Sequence, residues 1–281
     1  MSFQNNIFYK KVKDYSVSKE IFDLHHNPEF DLLLTYPKPS IEKLSSYYES
    51  DDYISHTDGK RSLFEKLYHF IKSIALKNKL KLINSQSQKG NLLDIGAGTG
   101  DFLLVAKKDG WQITGIEPGE KPRAIAIQKG VSFVNDLADL DDSSFDIITM
   151  WHVLEHVPDL EFQIKELKRL IKPEGTIIIA VPNFKSFDAN YYGKFWAAFD
   201  VPRHLWHFSK TAIEKLFAVE KLKLVKVLPM KFDSFYVSLL SEKYKNGKMN
   251  FLNAFWIGWK SNRYGKQNIE YSSHIYVIKK E

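Results

Sequence analysis

Cysteine is absent from all 281 residues, which excludes disulfides and thiolate metal sites. No apolar run approaches the roughly 18 residues that would cross a bilayer as a helix. The opening Met1-Ser2-Phe3-Gln4-Asn5-Asn6 carries no signal-peptide h-region, so a cytoplasmic location is the default expectation. Acid is scarce in one stretch. Residues 60–89 hold eight Lys/Arg (Lys60, Arg61, Lys66, Lys72, Lys77, Lys79, Lys81, Lys89) against one acid, Glu65, a local +7 within an overall +6. The apolar residues there, Leu63, Leu67, Phe70, Ile71 and Ile74, recur at helical spacing. This predicts an amphipathic helix with a packed apolar side and a basic solvated face. No nucleic-acid motif accompanies the charge, so nucleic acid is not the expected partner. With 44% hydrophobic and 14% aromatic residues, the chain has enough apolar material for one large core with accessory elements.

The most informative run is Leu92-Leu93-Asp94-Ile95-Gly96-Ala97-Gly98-Thr99-Gly100, an apolar strand leading through an acid into a glycine-rich turn. Glycines there let the backbone turn sharply and let a ligand lie against bare main chain. A helix expected from Thr99 to Lys108 points free N–H groups at the same spot. A dinucleotide fingerprint needs G-x-G-x-x-G, and the place of its third glycine holds Asp101, a poor neighbour for a pyrophosphate. Asp94 likewise suits a ligand with positive charge. A nicotinamide oxidoreductase is therefore disfavoured, while S-adenosylmethionine, with an ammonium, a sulfonium and no phosphate, fits.

A second strand, Gln112 to Ile116, ends in Gly115-Ile116-Glu117-Pro118. This puts Glu117 about 20 residues past the loop, where an acid grips both ribose hydroxyls. Phe145 to Met150 reads as a further buried strand, followed by Trp151-His152-Val153-Leu154-Glu155-His156-Val157. Leu170 to Ile179 then reads as helix end, turn and strand. Through LLDIGAGTG, GIEP, FDIITMWHVLEHV and LKRLIKPEGTIIIAVPN, in that order, the chain resembles the class I S-adenosylmethionine-dependent methyltransferases.

The resemblance implies an α/β fold: a doubly wound, Rossmann-like, seven-stranded, mostly parallel sheet whose last strand is antiparallel. It implies S-adenosylmethionine as cofactor, held by Asp94, Gly96, Ala97, Gly98, Gly100, Glu117, Pro118 and Trp151, with Asp136 and Leu137 near the adenine. Residues 1–90 are expected to form a helical leader or cap, with a short helix near Ile41 to Glu49. Residues 91–281 are expected to form the cofactor-binding domain. Helices at Ser234 to Tyr244 and Met249 to Arg263 break the strand–helix alternation over residues 229–271, an insertion before a last strand near His274 to Ile278. The stripe Phe251, Phe255 and Trp259 in that insertion is expected to pack in the core, ahead of a pocket cover or a membrane contact.

Upstream, Thr35-Tyr36-Pro37-Lys38-Pro39-Ser40 with Tyr47, Tyr48 and Tyr53 resembles the leader of bacterial methyltransferases that carry an N-terminal zinc ribbon. Asn27-Pro28-Glu29-Phe30 stands where their second C-x-x-C lies, so no ribbon metal is expected. The leader is expected to close over the cofactor, with Tyr53 and His56 reaching its methionine end. His152-Val153-Leu154-Glu155-His156 matches the H-x-x-E-H string of a zinc-protease class, but it follows a strand directly and is not read as a metal site. Some quinone-pathway O-methyltransferases that the chain resembles bind a divalent metal here, yet their first acid corresponds to His152.

Methyl transfer is an in-line displacement in which the protein aligns nucleophile and methyl. His152 and His204 are the candidate bases by residue type, with a pocket-wall role as the alternative for each. Phe195, Trp196, Phe199 and Trp206 offer an aromatic wall for the acceptor, and Arg203 either an anion contact or a structural ion pair. The expected function is methyl transfer to a small molecule at oxygen; the alternative is a noncatalytic S-adenosylmethionine-binding or scaffold protein.

Overall fold

Leu92 and Leu93, Ile147 and Ile148, and Ile177 and Ile178 are all fully buried, because alternate residues of these strands face opposite sides of a sheet that is covered on both. The computed structural model describes residues 3–48 and 63–281. The central sheet is built from β4 (Asn91–Ile95), β5 (Gln112–Ile116), β6 (Phe145–Trp151), β7 (Ile171–Pro182), β9 (Leu222–Pro229) and β10 (Ser273–Lys280), in the order β5-β4-β6-β7-β10-β9. Neighbours from β5 to β7 are parallel, and β10 runs antiparallel to both β7 and β9. Among the described residues the sheet therefore has six strands. The place of a seventh, at the β5 edge, is reduced to a single parallel bridge between Gly115 and Phe133.

One face packs against α5 (Leu160–Leu170) and α7 (Lys210–Val219), joining Leu93, Ile148, Ile164, Leu167, Ile177 and Leu216. The other packs against α2 (Leu63–Asn84), α3 (Asp101–Lys108) and α4 (Glu120–Gln128), through Leu92, Phe102, Ala126, Ile147, Ile178 and Ile83. The basic segment is thus the expected helix, but it docks through Leu76, Leu80 and Ile83 while Phe70 faces solvent. Lys72 Nζ and Lys129 Nζ both contact the Asp101 carboxylate, at 2.6 and 2.8 Å, and hold it down to about 2 against the opposing effect of burial.

The leader departs from expectation. It contains α1 (Ile41–Leu44) and a 3-10 turn at Ser45–Tyr48, but its body is β1 (Ile7–Lys13), β2 (Ile21–Asn27) and β3 (Leu32–Tyr36), an antiparallel meander. Hydrophobic alternation over five to seven residues, as in Phe22 and Leu24, buries one face and exposes the other, which is the strand solution. Its fourth strand is β8 (Trp206–His207), from the far half of the chain, paired as Leu33↔His207 and Leu34↔Trp206. The leader is therefore integral to the domain. Tyr53 and His56 lie outside the described residues.

The insertion is helical as expected, as α8 (Asp233–Asn246) and α9 (Phe251–Asn268), which pack against the short α6 (Phe187–Tyr192). Its aromatic stripe is not in the core: Phe251, Phe255 and Trp259 are exposed. The physical reason lies in α9 itself, whose buried side is made of Ala254, Ile257, Gly258, Ser261 and Gly265. Among the described residues, no helix is long and apolar enough to cross a membrane.

Candidate active site

Strand register puts Asp94 beside Gly115 of β5 and Thr149 of β6, so the carboxyl ends of three adjacent strands meet at one edge. Ligands bind at that edge in open α/β sheets. The glycine turn after β4 takes left-handed conformations at Gly96 (φ 72°), Gly98 (φ 54°) and Gly100 (φ 74°), which side-chain-bearing residues rarely adopt. A Cβ at Gly98 would meet nothing within 4 Å, so the turn leaves open space over its main chain.

Glu117 braces this turn. Its Oε2 accepts from the Gly98 N–H and its Oε1 from the Gly119 N–H, both at 2.8 Å. Each oxygen keeps a lone pair for a further donor. Gly96 and Ala97 both donate to the Ile116 carbonyl, tying the turn to the end of β5 next to Pro118. Asp94 is buried, and its Oδ1 accepts from Thr149 Oγ1 at 2.6 Å. Burial raises its pKa to about 7, so an approaching cation would favour the ionised form.

Trp151, at the end of β6, lies edge-on to Phe102 with its indole Nε1 buried and without a hydrogen-bond partner among the described residues. Lys79 of α2 stands over the indole at 4.3 Å from its centre, and its ammonium feels Asp94 and Asp233. Reading the basic helix as a solvated face missed this residue. The residue types gave no signal, because any of five lysines on α2 had the same standing.

Asp136 and Leu137 sit at the start of a 3-10 turn over Leu137–Asp139. The Asp136 carboxylate caps that turn through the Ala138 N–H (2.9 Å), and the Leu137 side chain is buried in the core.

His152 is held at φ 59° directly after β6, an uncommon conformation for a non-glycine residue and one that clusters at functional sites. Its Nε2 lies 2.9 Å from Asp233 Oδ2 and its Nδ1 3.3 Å from Glu155 Oε1. Burial alone would lower its pKa, but Asp233 and then Glu155 outweigh it and lift the value to about 10. His152 is therefore an imidazolium clamped between two carboxylates, with a third of its side chain open to solvent. With no lone pair to offer at neutral pH, it does not suit the role of base. Glu155 lies in the same short motif, whereas Asp233 comes from the insertion 81 residues further on and has no local signal in the sequence.

Glu155 is buried, and among the described residues its carboxylate accepts no hydrogen bond; His152 is its counter-charge. Near it stand His156 and His204, whose rings meet edge to face at 4.6 Å. Ligand atoms of Glu155, His156 and His204 all lie within 4.8 Å of one another, a carboxylate–imidazole set of the kind that suits a divalent metal. The H-x-x-E-H string thus splits, with His152 turned to Asp233 and His156 to the Arg203 carbonyl and Tyr48 hydroxyl.

His204 is buried and donates from Nδ1 to the Ala198 carbonyl at 2.9 Å, leaving Nε2 with its lone pair. Burial, with His156 and His207 close by, keeps its pKa well below the ordinary range, so it is neutral. Of the two candidate bases, His204 alone has the right protonation state, but it is buried.

Three of the four expected wall aromatics are core: Trp196, Phe199 and Trp206 are buried, with Trp196 Nε1 donating to Asp188 and Trp206 Nε1 to the Val157 carbonyl, while Phe195 is half-buried against Tyr15. Arg203 is a structural ion pair, bonded through Nε and Nη2 to Asp200 and through Nη2 to Ser16.

A family model described as a methyltransferase domain matches residues 64–227. Curated relatives include the ubiquinone biosynthesis O-methyltransferase of Pseudomonas syringae pv. tomato, 33% identical over 116 residues covering 36% of this chain and 50% of that protein. The enzyme of that name from Sodalis glossinidius is 30% identical over 103 residues, 33% of this chain and 41% of that protein. The matched segment thus spans half or less of these relatives' own length. Among solved structures, magnesium protoporphyrin IX methyltransferase from Synechocystis with bound SAH matches with a TM-score of 0.57 at 15% identity, covering 86% of this chain and 100% of that one. A SAM-dependent methyltransferase from Archaeoglobus fulgidus matches at 0.53 and 18% identity, covering 78% and 98%. At such identities the likeness concerns the fold.

Proposed function

Since the chain belongs to the methyltransferase-domain family, we propose that it transfers the methyl group of S-adenosylmethionine to an oxygen of a small-molecule acceptor, in the cytoplasm. The observation that carries this reading is the open, left-handed turn at Gly98, braced by Glu117. Bare main chain beside two carboxylates, Asp94 and Glu117, fits a cationic, phosphate-free nucleoside and suits a dinucleotide poorly. When bound, S-adenosylmethionine supplies an electrophilic methyl on its sulfonium. Glu117 would hold the ribose hydroxyls and Asp94 would face the positive end, while the segment beginning at Asp136 lies toward the adenine. The His152 imidazolium is already neutralised by Asp233 and Glu155, so the trio carries no net positive charge to lower the pKa of an acceptor hydroxyl. His152 then acts through its position, tying the end of β6 to the start of α8. The O-methyltransferase names of the curated relatives support the choice of oxygen.

Titration calorimetry with S-adenosylmethionine, followed by label transfer to a panel of phenols, carboxylic acids and amines, tests the reading. Cofactor binding with methylated phenol or acid is the expected result. Binding without any product would favour a noncatalytic cofactor-binding protein. Methylation confined to amines would overturn the choice of oxygen, and absence of binding would overturn the whole.

A further inference from the structure

In α9 the usual partition of a helix between core and solvent is inverted. Its small residues face inward: Gly258 approaches Phe235 so closely that an added Cβ would lie 2.7 Å from the ring, and Gly265 meets Tyr271 at 2.5 Å. Facing it, α8 buries Ser234, Ser238 and Ser241, and Ser234 Oγ donates to the Gly258 carbonyl. The large side chains point out. Leu252 is 79% exposed, Phe255 56%, Trp256 54% and Trp259 41%. At 100° per residue these four fall within roughly 100° of one side of the helix. They form a continuous surface, with Phe255 against Trp256 at 6.2 Å and Trp256 against Trp259 at 5.7 Å. Exposed apolar surface gathered in this way marks an interaction site.

Charge decides what covers it. From Lys243 to Ile269 the chain carries Lys243, Lys245, Lys248, Lys260, Arg263 and Lys266 and no acid at all. Lys248, Lys260, Arg263 and Lys266 have no carboxylate within ion-pair distance among the described residues, and Arg263 lies over the Trp259 ring at 5.6 Å. A second copy seated on this face by two-fold symmetry would set these cations against their own equivalents, which is unfavourable. Tryptophan, phenylalanine and leucine rimmed by lysine and arginine are instead the composition that settles at the headgroup level of an anionic bilayer.

We propose that the α8–α9 hairpin docks this protein on the surface of an anionic lipid bilayer. The hairpin carries part of the site: Asp233, the carboxylate that holds His152, opens α8, and Phe235 two residues on stacks on Phe255 of the docking face at 5.6 Å. A docked molecule therefore draws its acceptor from amphiphiles resident in the membrane; this last step alone rests on the methyl-transfer reading.

The full chain is mixed, without cofactor, with vesicles of phosphatidylglycerol and phosphatidylcholine in equal parts and with vesicles of phosphatidylcholine alone, then sedimented. Binding to the anionic vesicles about tenfold or more above the neutral ones, weakened by salt, is expected. Brominated lipid should quench tryptophan emission, and the loss of that quenching in Trp256→Phe/Trp259→Phe would locate the contact. Leu252→Ser/Trp256→Ser and Lys260→Glu/Arg263→Glu, all at exposed positions, should each cut binding about tenfold with an unchanged melting profile. Equal weak binding to both vesicles would overturn the proposal, as would binding untouched by these variants. A concentration-dependent dimer dissolved by the tryptophan variants would assign the face to a second copy and also overturn it. Because no methyl transfer is measured, failure here leaves the enzymatic reading standing.

Discussion

At the level of single residues, Glu117 braces the Gly98 and Gly119 N–H groups, and each of its oxygens keeps a lone pair. Glu117→Ala is expected to weaken S-adenosylmethionine binding by about 1.5–3 kcal/mol, the scale of a lost charge-assisted hydrogen bond. Calorimetric titration of the folded variant checks it, and unchanged affinity would remove Glu117 from the site. Asp94 makes binding depend on pH. Its carboxyl is raised to about 7, so without ligand it is largely protonated below that value, whereas a cation binds its ionised form better. Affinity should therefore rise with pH up to about 7, approaching tenfold per unit well below it, and then level off. Asp94→Asn should bind more weakly and lose that slope, which titrations at several pH values would reveal.

Among the elements, the turn between β4 and α3 owes its shape to glycine. Gly98→Val places a branched side chain at φ 54°, a conformation that costs on the order of 1–3 kcal/mol, and fills the space above the turn. A lowered melting temperature together with loss of cofactor binding is expected. Retained affinity would show that the ligand lies elsewhere. The leader's two turns show another way of closing a hairpin. Buried Asp14 accepts from Ser16, Val17 and Ser18 at the β1–β2 turn, and Asn27 accepts from the Phe30 N–H while donating to the Gln4 carbonyl at the β2–β3 turn. Over residues 27–30 this chain closes the turn with the hydrogen bonds of one asparagine side chain.

For the molecule as a whole, the leader is a structural layer. Leu24, Leu32 and Leu33 are fully buried, and β3 is hydrogen-bonded to β8. At about 1.5–3 kcal/mol for each buried leucine, removing them forfeits on the order of 5–9 kcal/mol, comparable to the whole stability of an ordinary domain. Deleting residues 1–40 should therefore yield an aggregated or unfolded chain, seen as loss of the cooperative melt. A folded, cofactor-binding remainder would instead restore the view of the leader as a separable lid.

The sequence by itself determined the cofactor half. Strand ends, the glycine turn, Glu117, the two inserted helices and the last strand all follow from local periodicity and short-range spacing, where neighbours in sequence are neighbours in space. The tertiary structure alone decided which charges meet. Asp233 reaches His152 across 81 residues and converts a candidate base into a fixed cation. His204 joins Glu155 and His156, and Lys79 settles over Trp151. The same holds for the aromatics: Trp196 and Trp206 are buried, while Trp256 and Trp259 face out. Residue type carries no record of which helix face finds a partner, and a helix whose small side packs inward leaves its largest side chains outside.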